Sequence, residues 1–240
     1  MSETLSNIVR TNDRVTPTAA LHVEAIADIV CPFCYLGLMR LEKALEAVQG
    51  PSEVTWYPWQ LNPELPVDGV DFNDYLASRF GSAENIGPVL EGLALEGKAE
   101  GIDFRFDRIT RVPNTMRAHQ LLYLAETRAV RQMALAKDLM AAFFEHGEDL
   151  GDIEVLVKIG TRHGLEAKDI IATVDGDEAR QVVTAREAQA RSSGIDGVPG
   201  FLLNRRLLLI GAQETDNIIN AFDRAMFGEG TDELISPALH

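Results

Sequence analysis

Cys31 and Cys34 are the only cysteines in this chain of 240 residues, and they stand three positions apart in the stretch CPFC. In Cys-X-X-Cys spacing the second sulfur can reach the first, so the pair can cycle between dithiol and disulfide. Such thiols at helix starts have pKa values lowered from about 8.5 to roughly 3.5–7.5, because the helix dipole and the free N–H groups favour the thiolate. The spacing therefore predicts that Cys31 is the exposed attacking thiol and that Cys34, one turn further in, is the buried resolving thiol.

The two residues between the cysteines suit this arrangement. Pro32 fits the first turn of a helix, where a missing N–H is harmless. We expect Phe33 to influence access to the thiols and their redox poise.

Two other roles for the cysteine pair remain open. The pair could be half of a zinc site, but the chain has no second cysteine pair, and its five histidines show no matching ligand spacing. The cysteines could also be inert core residues, which the position between a strand and a helix disfavours.

The elements around CPFC form a β-α-β unit. Residues 21–30 alternate in polarity as a strand does, and Leu38, Leu41 and Leu45 then form one helical stripe. Residues 53–60 read as a second strand, which the connecting helix makes parallel to the first.

The pattern then becomes helical and returns to strands near the C-terminus. We predict helices over residues 71–80, 83–99, 114–129, 131–146, 152–163, 166–174 and 177–192. A hairpin over 201–204 and 207–212 follows, and then a last helix. Because neither end can bury its sheet alone, we predict an α/β fold whose single sheet is assembled from both ends. The predicted divisions are an N-terminal arm (1–20), a discontinuous domain that contains the sheet (21–62 and 193–228), a helical insertion (63–192) and a C-terminal tail (229–240).

A second feature is the stretch GVPG at residues 197–200, just before the hairpin. X-Pro bonds are the ones that adopt the cis form. Val198-Pro199 is therefore a candidate cis site, with an ordinary turn as the alternative.

Composition limits the partners. The formal net charge of −15 argues against nucleic acid and anionic membrane surfaces. The N-terminal stretch lacks a signal-peptide pattern, and no segment approaches the roughly 18–20 apolar residues of a membrane span. We expect a cytoplasmic protein, monomeric or homodimeric, since a reducing compartment favours a cycling pair over a permanent disulfide.

Together these elements resemble the thioredoxin superfamily, in which a CxxC at the head of a helix faces a cis-proline loop. The helical block between β-α-β and β-β-α is similar to the DsbA family of disulfide oxidoreductases. Three motifs resemble the FrnE-like branch, which is related to 2-hydroxychromene-2-carboxylate isomerases and kappa-class glutathione transferases. These motifs are D-x-x-C-P-x-C-Y-x-G at 28–37, N-T-x-x-A-H at 114–119, and the closing G-V-P-G-F and G-A-Q. The resemblance covers about residues 21–227.

The resemblance implies that Val198 pairs its backbone with an extended substrate and that Pro199 shapes the groove and excludes metal from the dithiol. It also implies that Asn114 and His119 line the substrate cleft, and Asp28 is a further candidate. Taken alone, Asn114 reads as a helix cap and His119 as a structural histidine beside its helix's apolar stripe.

One departure from the family concerns proton transfer. Thioredoxin-like proteins often carry a buried acid six residues before the first cysteine, but here that position is Ala25, and Glu24 should face the other way. A water, Asp28 or His119 are the candidates for assisting deprotonation of Cys34.

The isomerase and transferase relatives use serine where this chain has Cys31. The expected function is therefore thiol–disulfide oxidoreduction of the protein disulfide oxidoreductase/isomerase type, an enzyme of the DsbA family. Its partners would be thiol- or disulfide-bearing proteins or small molecules. No metal or tightly bound cofactor is expected, and glutathione or a partner thiol would recycle the dithiol. The alternatives are a glutathione-using isomerase or transferase acting on a small aromatic or polyketide-like substrate, and a chaperone-like binding module.

Overall fold

A five-stranded mixed sheet flanked by helices forms the centre of the molecule. The computed structural model describes residues 20–48, 50–81, 83–228 and 234–235. The strands of this sheet are β1 (Leu21–Ala27), β2 (Ser52–Pro58), β5 (Gly200–Leu203), β6 (Leu207–Ile210) and β7 (Leu234–Ile235). A separate two-stranded ribbon pairs β3 (Val70–Asp71) with β4 (Arg111–Val112). The α/β class expected from the sequence is confirmed.

The sheet is assembled from both ends of the chain, in the order β2-β1-β5-β6-β7. β2 runs parallel to β1, and β5 runs antiparallel to β1, with Ala25 opposite Trp56 on one side and opposite Phe201 on the other. The parallel pairing expected for a β-α-β unit is therefore confirmed. The turn between β5 and β6 passes through Asn204 and Arg205, both at positive φ.

Helices follow the predicted boundaries within one or two residues. They are α1 (Pro32–Ala47), α2 (Phe72–Phe80), α3 (Ala83–Glu100), α4 (Met116–Thr127), α5 (Gln132–Phe144), α6 (Ile153–Arg162), α7 (Ala167–Val174), α8 (Asp177–Ser192) and α9 (Thr215–Phe227). Among the described residues, no helix is both long enough and apolar enough to cross a membrane.

The helical segment packs directly onto the sheet. α1 contacts α3, α5 and α9, and β2 contacts α4, α5 and α8. One continuous apolar core joins Leu38 and Leu41 of α1 with Leu121 of α4, Leu139 of α5 and Phe201 of β5. The segment between β2 and β5 therefore buries one face of the sheet, and the helical insertion forms part of the same core.

Most of the two predicted chain ends lies outside the described residues. Residues 1–19 of the expected N-terminal arm lie outside the described residues, as do 229–233 and 236–240 of the expected tail. Within that tail, Leu234–Ile235 form β7, parallel to β6. This pairing is possible because the edge of β6 offers backbone groups that a short strand can pair with.

Candidate active site

The cysteine pair lies where β1 leads into α1. Cys31 is the N-cap of α1, with φ −96° and ψ 112°, and Pro32 is the first helical residue. The Cys31 Sγ accepts a hydrogen bond from the Cys34 N–H at 3.3 Å. The Cys34 N–H, which also donates to the Cys31 carbonyl at 3.0 Å, is therefore within reach of the Cys31 sulfur, and a helix N-terminus favours an anion at this position.

Burial of the two thiols differs from expectation at one position. Cys34 is fully buried, as predicted, but Cys31 is also buried, with only 4% of its surface exposed. The prediction that Cys31 is exposed is therefore wrong, because its side chain caps its own helix and is buried there. Phe33, between the cysteines, is 45% exposed, and it is the most exposed residue of the CPFC motif.

Cys34 is held in its protonated form. Burial raises the pKa of the Cys34 thiol well above its ordinary value, and the hydrogen bond to Cys31, the Cys31 charge and the nearby Asp28 carboxylate raise this pKa further. A backbone hydrogen bond at Asp28 acts in the opposite direction. At neutral pH Cys34 is therefore a thiol that must lose a proton before it can act as a nucleophile.

The proline loop lies against the same helix. The Val198-Pro199 peptide bond is cis. Pro199 is buried, Val198 is half-buried, and the Pro199 carbonyl accepts the Gly211 N–H at 2.7 Å. A Cβ added at Gly37 of α1 would lie 2.9 Å from the Pro199 Cγ, so the two segments are in direct contact. In the part of the chain that the structure describes, neither backbone group of Val198 has a hydrogen-bond partner.

A buried chain of three polar side chains lies behind the cysteines. The indole N–H of Trp56 in β2 donates to Nδ1 of His119 in α4 at 3.1 Å. The His119 Nε2 lies 3.2 Å from the Asp28 Oδ1. The side chains of Asp28 and His119 are fully buried. Both side chains are enclosed within this hydrogen-bond chain, and neither has exposed surface.

Asn114 forms hydrogen bonds both with the first turn of α4 and with the loop that follows β2. Helix α4 begins at Met116, so the N-cap position falls on Thr115 rather than on Asn114. The Asn114 carboxamide oxygen nevertheless accepts the Met116 N–H at 3.0 Å, and its NH₂ group donates to the Leu65 carbonyl at 2.8 Å. Asn114 therefore ties the start of α4 to the loop that follows β2.

Hydrogen bonds from α8 and from Asp28 hold the loop that follows β2 in place. The Gln60 N–H donates to Glu187 of α8 at 2.9 Å, and the Gln60 carbonyl accepts from Arg191 at 2.7 Å. The Leu61 N–H donates to the Asp28 Oδ2 at 2.7 Å. The guanidinium of Arg191 also lies 4.0 Å from the centre of the Trp59 ring. Residues of the helical insertion thus hold the loop against the strand end that carries Asp28.

The sequence analysis did not find Glu187 or Arg191. One signal was available for Glu187: it falls on the buried face of α8 with Ala179, Val183 and Ala190. A carboxylate within an apolar stripe indicates a buried partner. The sequence analysis also did not link the Trp56 N–H to His119, because no pattern in the chain connects these two residues. Within the described ranges, no group of three or more His, Cys, Asp and Glu side chains is arranged to hold a metal ion.

Comparison with known proteins agrees with this geometry. Residues 22–223 match the family described as DSBA-like thioredoxin domain. The chain belongs to this family. The expected relationship to DsbA-type proteins is thereby confirmed.

Solved structures of the DsbA-like type share the fold. The probable DsbA oxidoreductase SCO1869 from Streptomyces coelicolor is 30% identical, with a TM-score of 0.78 over 90% of this chain and 94% of that chain. A 2-hydroxychromene-2-carboxylate isomerase is 17% identical, with a TM-score of 0.64 over 85% and 95% of the respective chains. The cytosolic disulfide reductase DsbM from Pseudomonas aeruginosa is 18% identical, with a TM-score of 0.59 over 85% and 95%. At these two lower identities the similarity concerns the fold alone.

Proposed function

We propose that this DsbA-like protein is a thiol–disulfide oxidoreductase in which Cys31 attacks and Cys34 resolves. The observation that carries the proposal is that two thiols at a helix N-terminus lie beside Val198, whose backbone N–H and C=O have no partner among the described residues. The Cys34 N–H points at the Cys31 sulfur, and Val198-Pro199 lies against the same helix through Gly37. A free thiol pair alone would not indicate where a substrate binds.

The reaction has two exchange steps. In the reducing direction, the Cys31 thiolate attacks a substrate disulfide R–S–S–R′, forms a mixed disulfide with R and releases R′S⁻. Cys34 then loses its proton, attacks the Cys31 sulfur, and displaces RS⁻. The protein is oxidised to its disulfide while the substrate disulfide is reduced to two thiols. The oxidising direction is the reverse of these steps.

The substrate-binding proposal concerns Val198 and Phe33. Because the Val198 N–H and C=O are unpaired among the described residues, an extended peptide or a glutathione molecule can form strand-like hydrogen bonds there. The exposed Phe33 ring offers an apolar contact beside the thiols. Partners are therefore thiol- or disulfide-bearing proteins or small molecules.

Glutathione is the proposed recycling partner, with no tightly bound cofactor. A structure of the cytosolic disulfide reductase DsbM with GSH has a TM-score of 0.55 to this chain at 19% identity. This fold similarity supports glutathione as a probe. On the same basis we propose a cytoplasmic location.

The test is equilibration of the purified chain in graded reduced and oxidised glutathione buffers, followed by acid quenching and intact-mass measurement. We expect the loss of two hydrogen atoms with a single midpoint in the wild type. We expect no internal disulfide in Cys31→Ser and a single glutathione adduct in Cys34→Ser. A midpoint reduction potential of about −270 mV would be similar to that of thioredoxin, and one of about −120 mV would be similar to that of DsbA. A stable glutathione adduct on the wild type without an internal disulfide would contradict the dithiol mechanism.

The glutathione-using isomerase alternative is less well supported by the site. It would need Asn114 and His119 to contact a small substrate. His119 is buried with both ring nitrogens engaged, and the Asn114 carboxamide is engaged with loop and helix. Normal substrate turnover in a Cys34→Ser variant would favour that alternative.

A further inference from the structure

The outer edge of β2 carries backbone groups that the sheet does not use. In the part of the chain that the structure describes, β2 ends the sheet and pairs with β1 alone. The Leu21 N–H donates to the Pro51 carbonyl at 3.0 Å, and the Trp59 N–H donates to the Ala27 carbonyl at 3.1 Å, so odd positions along β2 face β1. Because backbone groups alternate between the two sides of a strand, the even positions face away from β1.

A side chain already occupies one of these outward positions. The Trp56 N–H donates to the Gln132 Oε1 at 2.9 Å, and the Gln132 side chain is buried. The N–H and C=O groups of Ser52 and Val54 point the same way, and none of them has a hydrogen-bond partner among the described residues. Gln132 therefore closes the edge at Trp56 and leaves the backbone of Ser52 and Val54 open.

A groove adjoins this open stretch of β2. Its volume is about 520 Å³, and residues 52–55 line it. The C-terminal half of α1 forms one wall, and the turn from α4 into α5 forms the other. Pockets that hold ligands in proteins have volumes of roughly 300–1,000 Å³. The unpaired backbone groups therefore face a concave site that is large enough for a bound segment.

The two faces of β2 beside the groove differ in chemistry. Val54 and Leu45 pack against the main apolar core, which includes Met133, and all three residues line the groove. Glu53 lies on the other face of the sheet, where its carboxylate is 3.3 Å from the His22 Nδ1. Because side chains alternate along a strand, a strand added at this edge would place every second side chain against the apolar wall and the others beside Glu53.

The charge of the groove favours a basic segment. Four glutamates and one arginine line it: Glu42, Glu46, Glu53, Glu126 and Arg131. Two of the glutamates form ion pairs with basic side chains outside the groove. Glu46 has no ion-pair partner among the described residues, and Glu53 has only His22, which carries charge only when it is protonated. With Arg131 included, negative charge remains in excess.

The same charge disfavours a second copy of this chain at the groove. Two copies paired edge to edge would bring their glutamates together, and each copy carries a formal net charge of −15. Charged side chains on an edge strand are a known means of preventing such self-pairing. A partner of opposite charge does not meet this repulsion.

We propose that the groove binds an extended segment of a partner protein in which lysine or arginine alternates with apolar residues. The segment adds to the outer edge of β2 as a further strand and pairs its backbone with Ser52 and Val54. Its apolar side chains contact Leu45 and Met133, and its basic side chains lie beside Glu53. Backbone pairing supplies affinity, and the alternation of side chains supplies specificity.

This docking site is at the opposite end of the sheet from the dithiol. Val54 is level with Val23 in the first half of β1, whereas Cys31 follows the end of β1. A segment bound along β2 therefore leaves the thiols accessible. The proposal does not depend on thiol exchange, and its test uses no redox readout.

The experiment uses the full-length chain and a fluorescein-labelled heptapeptide of alternating lysine and valine, followed by fluorescence anisotropy. We expect saturable binding that is unchanged in Cys31→Ser. Two control peptides carry glutamate in place of lysine, or methyl groups on the backbone nitrogens of the central residues. Each should bind at least about tenfold more weakly than the lysine–valine peptide. Equal binding of the methylated peptide would show that charge attraction acts without strand pairing, and would overturn the proposal.

Variants of the chain test the edge and the charge separately. Val54→Pro removes an outward N–H that the pairing with β1 does not use, and proline is tolerated at edge positions of this kind. Glu53→Lys reverses the charge beside the added strand. We expect each change to weaken binding of the lysine–valine peptide at least about tenfold. Asp223→Lys, at an exposed position of α9, alters the net charge equally and should change binding less than about twofold. An equal loss in Asp223→Lys and Glu53→Lys would contradict a specific site.

Amide NMR spectra of the isotope-labelled wild type locate the bound peptide. We expect the amide signals of Ser52 and Val54 to shift on titration with the lysine–valine peptide. Shifts confined to other parts of the chain, or no binding at all, would overturn the proposal. A dimer in sedimentation velocity that Val54→Pro abolishes would mean that a second copy occupies the edge, which would also overturn it. Far-ultraviolet circular dichroism checks that each variant is folded, and the wild-type shifts and Glu53→Lys decide the matter if Val54→Pro is not.

Discussion

Gly37 in the second turn of α1 packs directly against Pro199 of the cis-proline loop. A Cβ at Gly37 would lie 2.9 Å from the Pro199 Cγ and 3.3 Å from the Phe201 Cζ. Contacts this short between carbon atoms require something to move. The absence of a side chain at position 37 therefore sets how closely the cysteine-bearing helix approaches the proposed substrate-binding loop.

Gly37→Ala is expected to lower stability and to disturb the loop. Overpacking in a tight contact costs about 1–3 kcal/mol, since buried Pro199 and Phe201 have little room to move. Urea unfolding of the reduced protein measures this change. Gly92→Ala in α3 is the matched control, because nothing lies within 4 Å of a Cβ there. That control should be neutral or more stable by up to about 1 kcal/mol from helix propensity. Equal effects at both positions would argue against the close contact.

Arg40 is expected to be a major contributor to stability. Its buried guanidinium donates to Glu100 and Glu96, both at 2.8 Å, and to the Ala212 carbonyl at 2.7 Å. These bonds join α1 to α3 and to the loop before α9. Because removing one partner leaves buried groups unpaired, Arg40→Met should cost about 3 kcal/mol in urea unfolding.

Lys43 provides the control for Arg40. It contacts the same Glu100 carboxylate, but its side chain is 44% exposed. Lys43→Met should therefore cost less than about 1 kcal/mol. A loss for Lys43→Met as large as that for Arg40→Met would mean that burial of the guanidinium is not what matters.

Glu187→Ala is expected to loosen the loop that follows β2. The substitution leaves the buried Gln60 N–H without its acceptor, which costs about 1–3 kcal/mol. Hydrogen exchange at Gln60 and Leu61 should become faster than in the wild type, and this exchange is the measurement. Gln189→Ala, at an exposed position of the same helix, should leave both amides unchanged. Unaltered exchange in Glu187→Ala would show that other contacts hold the loop.

The reduced protein is expected to lose stability at alkaline pH because of Cys34. Its folded-state pKa is raised above the ordinary value of 9.0, so the folded state retains a proton that the unfolded chain releases. The stabilising contribution is therefore complete below about pH 9 and falls as pH rises from there toward the raised folded pKa. The free energy of unfolding, measured under anaerobic reducing conditions, should decrease from about pH 8 to about pH 10. We expect this decrease to be larger for the wild type than for Cys34→Ser. Equal decreases in the free energy of unfolding for the two proteins would contradict a raised pKa of Cys34 in the folded state.

Much of the fold was readable in the sequence because its signals are local. Alternating polarity in residues 21–30, the stripe through Leu38 and Leu41, and the Pro32 position in CPFC depend only on neighbours along the chain. Helix boundaries in the insertion were predicted within one or two residues for the same reason. The assembly of one sheet from both ends followed from the need of each half to bury its apolar face.

The surroundings of the thiols depended on contacts between segments far apart in the chain. Asp28 and His119 are 91 positions apart, and Gln60 and Glu187 are 127 positions apart. No periodicity links such pairs, so the sequence could nominate Asp28 and His119 but could not show that Trp56 fixes the His119 tautomer. The burial of Cys31 was missed for a related reason, since the rotamer that caps its helix is not set by residue type.

The sequence by itself determined the dithiol, its place between a strand and a helix, and the proline loop, because spacing and residue type carry those features. Only the tertiary structure decided which groups surround the dithiol: Gly37 against Pro199, and Asp28 held by His119 and Leu61. These contacts arise when the helical insertion and the two halves of the sheet share one core. The hydrogen bonds that orient Asp28 come from segments that meet only after that core has formed.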